Sequence, residues 1–157
     1  MKIGFTGSRS GCTVEQSDNF LKLILYLDMT SFTHGDCIGA DTDAHNLIVS
    51  NKLINNDKIY KRPCNLTKQR SFTKEGINIA EPIAPLDRNK LIVDGTDILI
   101  AIPDTYKEVL RSGTWSTIRY AKLIKREFYI IYPDGKIINW KLGVFKDFIF
   151  PKEENSK

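Results

Sequence analysis

The chain has 157 residues, of which 23 are basic and 19 acidic, for a formal charge of +4, and 41% are apolar. That length suits one ordinary domain able to bury roughly 70% of its unfolded surface, and the composition argues against a disordered or fibrous chain. Cys12, Cys37 and Cys64 are odd in number and form no CxxC pair, so reduced thiols are expected rather than a disulfide framework or a zinc knuckle.

The amino terminus enters a strand-like run at once, Lys2 to Thr6, which stops at the glycine and serine loop Gly7-Ser8-Arg9-Ser10-Gly11. A loop of this kind follows a first strand and precedes a helix. Thr13 is placed to cap that helix, and Phe20, Leu23, Ile24 and Leu27 recur at helical spacing. Ser31 to His34 predicts a second, very short strand, ending in Gly35-Asp36-Cys37-Ile38-Gly39-Ala40-Asp41. Ala44, Leu47 and Ile48 then mark a second amphipathic helix. Lys58 to Arg62 offers a third strand closed by Pro63, and Asn65 to Glu81 is a long polar stretch with little periodicity, expected to be an irregular excursion.

Beyond it, Leu86, Lys90 and Val93 would share one face of a short helix ended by Gly95. Asp97 to Ile102, DILIAI, is apolar on both faces, as a central parallel strand should be. Ser112-Gly113-Thr114 opens a helix carrying Trp115, Ile118, Ala121 and Lys122 at the helical period. Glu127 to Tyr132 is a fifth strand, and Lys136 to Trp140 returns after a Pro-Asp-Gly turn as a hairpin partner. Strands alternating with helices imply a mainly parallel, open Rossmann-like α/β sheet of about five strands with helices on both faces. The expected organisation is one domain over residues 1–150 and a frayed tail over 151–157.

The start of the chain has no basic n-region or apolar core of a signal peptide, and no apolar run approaches the roughly 20 residues a membrane helix needs. A soluble, cytoplasmic protein without membrane partners is expected. Lys and Arg are spread along the chain rather than gathered in a stripe, which disfavours a nucleic-acid partner and suits a small anionic ligand.

In open α/β sheets ligands bind outside the carboxyl ends of the strands, near the point where strand order reverses. The loops after the first, second and fourth strands are all polar and glycine-rich. Gly7 and Gly11 let backbone approach a ligand, Ser8 and Ser10 offer hydroxyls, and Arg9 offers a planar fork suited to phosphate. No GxGxxG, GxxxxGK[ST] or GxSxG run is present, so a dinucleotide dehydrogenase, a P-loop ATPase and an elbow-type hydrolase are unsupported. His34, His45, Asp36, Cys37, Asp41 and Asp43 match no zinc or calcium spacing, and no metal or cofactor is expected. Asp41 is read as a cap or a ribose ligand and His45 as structural. Trp115, Tyr120, Tyr106 and Phe72 are candidates for stacking on a base or for the core, with Trp115 the best placed for a ligand.

The segments GFTGSRSG, HGDCIGADTDAH, PLDRN, DILIAIP and RSGTWSTIRYA together resemble the SLOG superfamily, the Rossmann-like group named for the SMF/DprA and Lonely Guy proteins, from Lys2 to about Gly135. The resemblance implies a pocket for a nucleotide-derived ligand. Gly7, Ser8 and Arg9 would line one side, and Gly35, Asp36, Gly39 and Asp41 the second. Arg88 and Asn89 match the family's RN element, while Ser112, Gly113 and Thr114, with Trp115 beside them, resemble its phosphate-binding helix start. Lonely Guy phosphoribohydrolases carry a PGGxGTxxE motif with a catalytic glutamate. Thr117 stands in its place here, and threonine cannot act as that carboxylate.

The departure favours binding a nucleotide, ADP-ribose-type or cyclic nucleotide ligand without cleaving it. Such binding would act by sequestration, as in a phage-encoded anti-defence sponge, or through assembly with a partner. The alternative is a phosphoribohydrolase or N-glycosidase whose acid comes from Asp36, Asp104 or Glu108. A single-strand DNA-handling relative is the least supported class, for want of a basic groove. The resemblance also implies a homo-oligomer, for which the aromatic C-terminal region offers apolar surface.

Overall fold

A computed structural model describes residues 1–152; residues 153–157, the greater part of the expected tail, lie outside the described residues. Among the described residues 1–152, eight strands form one sheet: β1 (Lys2–Gly7), β2 (Ser31–His34), β3 (Ile59–Lys61), β4 (Ile77–Asn78), β5 (Ile98–Ile102), β6 (Phe128–Ile131), β7 (Ile137–Lys141) and β8 (Val144–Phe148). Four α-helices accompany them among the described residues: α1 (Val14–Leu27), α2 (Ala40–Ser50), α3 (Pro85–Asp94) and α4 (Gly113–Leu123). The spatial order is β4-β3-β2-β1-β5-β6-β7-β8. The first six strands run parallel, and β7 and β8 add antiparallel to the β6 edge.

The chain therefore builds outward from β1 through β2, β3 and β4, then crosses back to lay β5 on the other side of β1. The strand order reverses between β1 and β5, where Gly7 lies opposite Ile102. This is the Rossmann-like open sheet expected, with three additions beyond five strands. Of these, β7 is the expected hairpin partner and β8 continues it. The third, β4, is two exposed residues inside the stretch read as irregular.

The period-2 alternation of β5 serves two cores. Ile98, Ile100 and Ile102 join Ile3, Phe5 and Phe32 beneath α1 and α2, whose Phe20, Leu23, Ile24, Ala44 and Ile48 meet them. Leu99 and Ala101 face the opposite way, onto Val93, Trp115, Ile118 and Phe128. Each buried Ile or Leu contributes about 1.5–3 kcal/mol, which is why a run apolar on both faces becomes the sheet centre. α3 closes on β1 because Gly4 has no side chain: a Cβ there would stand 2.5 Å from Thr96 Oγ1.

The helix starts follow the sequence signals. Thr13 and Gln16 form a capping box at α1, and the Gln16 carboxamide also donates to the carbonyls of Pro103 and Ile131, at 2.8 and 3.0 Å. It ties the start of α1 to the ends of β5 and β6. At α3 the expected face is corrected: Leu86 and Lys90 are exposed, and the helix buries Arg88, Asn89, Ile92 and Val93. The polar pair turns inward because the space beneath it is the cavity described next, so apolar spacing alone pointed to the wrong side. Among the described residues no helix is long and apolar enough to cross a membrane.

Candidate functional site

Over the β1/β5 reversal lies an open cavity of about 480 Å3, within the range of small-ligand pockets. Its lining includes Gly7, Ser8, Arg9, Gly35, Asp41, Arg88, Asn89, Ser112, Gly113 and Thr114, ten of the thirteen residues expected from the sequence.

The loop after β1 is tied down by hydrogen bonds through Ser8. Ser8 N–H donates to the Ile102 carbonyl at 2.9 Å, Ser8 Oγ accepts from Ser10 N–H at 3.0 Å, and the Ser8 carbonyl accepts from Ala40 N–H at 2.8 Å. Arg9 stands exposed at the turn. Gly39 (φ +93) underlies this loop without lining the cavity, since a Cβ there would sit 2.4 Å from the Arg9 carbonyl oxygen.

The loop after β2 is organised by Asp41, whose Oδ2 accepts from Gly35 N–H and Cys37 N–H, both at 3.1 Å. Gly39, not Asp41, holds the N-cap position of α2. Burial pushes the Asp41 carboxyl up to about 6, against the opposing pull of Arg88 and those two amides. Asp36 turns away from the cavity. Its Oδ1 accepts from Thr73 N–H at 3.0 Å and Thr73 Oγ at 2.6 Å, and its Oδ2 is buried with no hydrogen-bond partner among the described residues.

Arg88, 5% exposed, bridges the two halves. Nε donates to Asn89 Oδ1 at 2.7 Å, Nη1 to the carbonyls of Gly35 and Arg62 at 2.7 and 3.1 Å, and Nη2 to Cys37 Sγ at 3.3 Å. These four bonds leave one of its five N–H groups for the cavity. The approach is possible because residue 35 is glycine: a Cβ there would lie 2.2 Å from Nη1.

At α4, Ser112 Oγ accepts the Trp115 amide at 3.2 Å, and the first helical bond runs from Ser116 to Ser112. The amides of Gly113 and Thr114 are thus left at the positive end of the helix dipole, on the cavity wall. Trp115 is not on that wall. It is 6% exposed in the core, with Nε1 donating to Thr105 Oγ at 2.9 Å. The other stacking candidates also miss the cavity: Tyr106 stacks on Tyr132, Tyr120 donates to Asp94, and Phe72 lies beneath the Arg70 guanidinium.

Sequence reasoning did not single out Thr6, Cys37, Gln69, Pro85, Leu86 or Arg111 for the lining. Arg111 was visible in RSGTW as a cation beside the helix start. Gln69 carried no signal. Of the three candidate acids, only Asp104 lines the cavity, accepting from Ser10 Oγ at 3.0 Å, whereas Glu108 pairs with Arg119 at 2.7 Å. Thr117 lies outside the lining, 2% exposed, with Oγ donating to the Gly113 carbonyl at 2.8 Å.

The histidines form a buried chain. Asp36 N–H donates to His34 Nδ1 at 2.9 Å, so the His34 proton is on Nε2, which meets His45 Nδ1 at 3.0 Å; His45 Nε2 then meets Glu75 Oε1 at 3.1 Å. Burial holds His34 well below the usual histidine range, with the neighbouring His45, Lys61 and Arg88 adding to that shift. Among the described residues no group of three or more His, Cys, Asp and Glu is placed to hold a metal ion. No known protein family, curated protein or solved structure matches the chain.

Proposed function

We propose that the cavity holds a nucleotide-derived ligand, its phosphate against Arg9, Arg111 and the free amides of α4, and that the protein binds this ligand without cutting it. The observation that carries the reading is convergence. Three loops far apart in sequence and the RN pair of α3 line one cavity at the β1/β5 reversal, where open α/β sheets bind ligands. Three arginines against two aspartates leave that lining net positive, and a helix start with free amides suits phosphate. The resemblance to SLOG proteins points to the same ligand class. Holding rather than cutting follows from Thr117, whose hydroxyl is buried and bonded within its own helix. An ADP-ribose-type or cyclic nucleotide signal held in this way is sequestered.

A second reading, cleavage of the N-glycosidic bond, is favoured by one observation. Asp104 lies on the cavity beside Arg9 and Ser10, and a carboxylate there is the group such chemistry requires.

Calorimetric titration with AMP and ADP-ribose tests the site. Arg9 is exposed and free of ion pairs among the described residues, so Arg9→Ala should leave the melting temperature unchanged. It should weaken binding by about 2 kcal/mol, the range of a charge-assisted phosphate contact. Equal affinity for the variant and the wild type contradicts the placement of the phosphate.

A further inference from the structure

The stretch after β3 is pinned against the cavity by buried polar contacts rather than by an apolar core. Asp36 accepts twice from Thr73 and, through its carbonyl, from Ser71 N–H at 2.7 Å. The buried Lys61 ammonium donates to the Thr73 carbonyl at 2.7 Å, and the His34–His45 chain ends on Glu75. An isolated antiparallel bridge joins Cys37 to Arg70. These contacts deliver one residue of the stretch, Gln69, to the cavity wall.

The main chain of Gln69 is already spent, its N–H on the Leu66 carbonyl and its carbonyl on Ile38 N–H. The carboxamide is what remains for a ligand. The lining holds one other carboxamide, Asn89, whose oxygen is taken by Arg88 Nε. Arginine offers only donors and aspartate only acceptors. A hydroxyl offers both roles from a single atom; among the described residues Gln69 is thus the free group in the wall that presents a donor and an acceptor on two neighbouring atoms. In the same lining, Pro85 and Leu86 supply apolar surface at the start of α3, on which the face of a base can lie.

We infer that Gln69 is the specificity-determining residue of this site and that it selects an adenine base; the inference rests on the nucleotide reading above. Along its N6/N7 edge adenine presents an amino donor next to an acceptor, the match for a carboxamide, whereas the same edge of guanine presents two acceptors, O6 and N7, which suit arginine instead. A carboxamide facing that edge of guanine makes one bond and sets its oxygen against a lone pair.

The test is calorimetric titration of the full chain with AMP, GMP and ribose 5-phosphate. Wild type should bind AMP at least about tenfold more tightly than GMP, the lower part of the discrimination a bidentate pair provides. Gln69→Leu should bring the two within about twofold by weakening AMP, with ribose 5-phosphate unaffected. Gln69→Glu, which keeps the shape and replaces the donor by a second acceptor, should weaken AMP as well. The half-buried position at the end of the 3-10 turn Thr67–Gln69 lets both variants be checked for an unchanged melting temperature. Equal wild-type affinities for AMP and GMP, tighter GMP binding, or an AMP preference that survives Gln69→Leu overturns the assignment while leaving a nucleotide site standing. If none of the three compounds binds, the site reading falls and this inference falls with it.

Discussion

Replacing Arg88 by methionine keeps most of the side-chain stem and removes the guanidinium, whose Nη1 donates to the carbonyls of Gly35 and Arg62 at 2.7 and 3.1 Å. Bonds to a charged donor are worth about 1.5–3 kcal/mol each. Of the four bonds lost, the two to carbonyls leave main-chain acceptors short of a donor, and relief of burying a cation offsets part of that loss, so a net destabilisation of about 3 kcal/mol is expected. At roughly 2–4 °C per kcal/mol for a chain of this size, the melting temperature should fall by about 6–12 °C. Removing Arg88 also takes away the positive charge that holds the Asp41 carboxyl down, so Asp41 should titrate higher still. Differential scanning calorimetry of the ligand-free protein at pH 7 reads the first effect. A fall of less than about 2 °C would refute the view that Arg88 knits the β2 loop to α3 as well as facing the cavity.

Two further outcomes follow from the same geometry. Asp41 titrates at about 6 in the fold against an ordinary 3.8, so the folded state binds its proton more tightly than the unfolded chain, and stability falls as pH rises between those values. In urea titrations the stability of wild type relative to Asp41→Asn should therefore drop by roughly 2.4 kcal/mol from pH 4 to pH 7; a constant difference across that window contradicts the burial argument. Gly39→Ala should cost at least about 2 kcal/mol, from the left-handed φ and from a Cβ forced onto the Arg9 carbonyl. An unchanged thermal melt would show that the two loops are not in register as described.

Much of this architecture was legible because strong local signals agree with the fold. Thr13 and Gln16 announce the start of α1, and ILIAI reads as a strand buried on both faces because it is one. Three glycine-rich loops identified the cavity wall because the main chain approaches closely there: Gly7 and Gly35 each leave no room for a Cβ. What stayed hidden lacks periodicity. The two-residue strand Ile77–Asn78 is exposed and too short to alternate, and the stretch around it is held by Asp36, Lys61 and the histidine chain, partners up to 37 residues away. Asp36 looked like a ligand group for the same reason that it is a clamp: both uses need a carboxylate in a polar loop. Trp115 misled in the opposite sense, because its place beside the helix-opening glycine fits a base platform, yet its ring completes the core beneath α4.

The act proposed for the cavity, holding a nucleotide intact, is tested most directly by incubating the pure protein with AMP, NAD, ADP-ribose and cyclic ADP-ribose isomers. The protein is then separated from free ligand and denatured by heat, and the released material is analysed by chromatography. The proposed function predicts stoichiometric release of an unaltered adenine nucleotide. Turnover to free base and a ribose phosphate would contradict it and move Asp104 from the cavity wall to the centre of the chemistry.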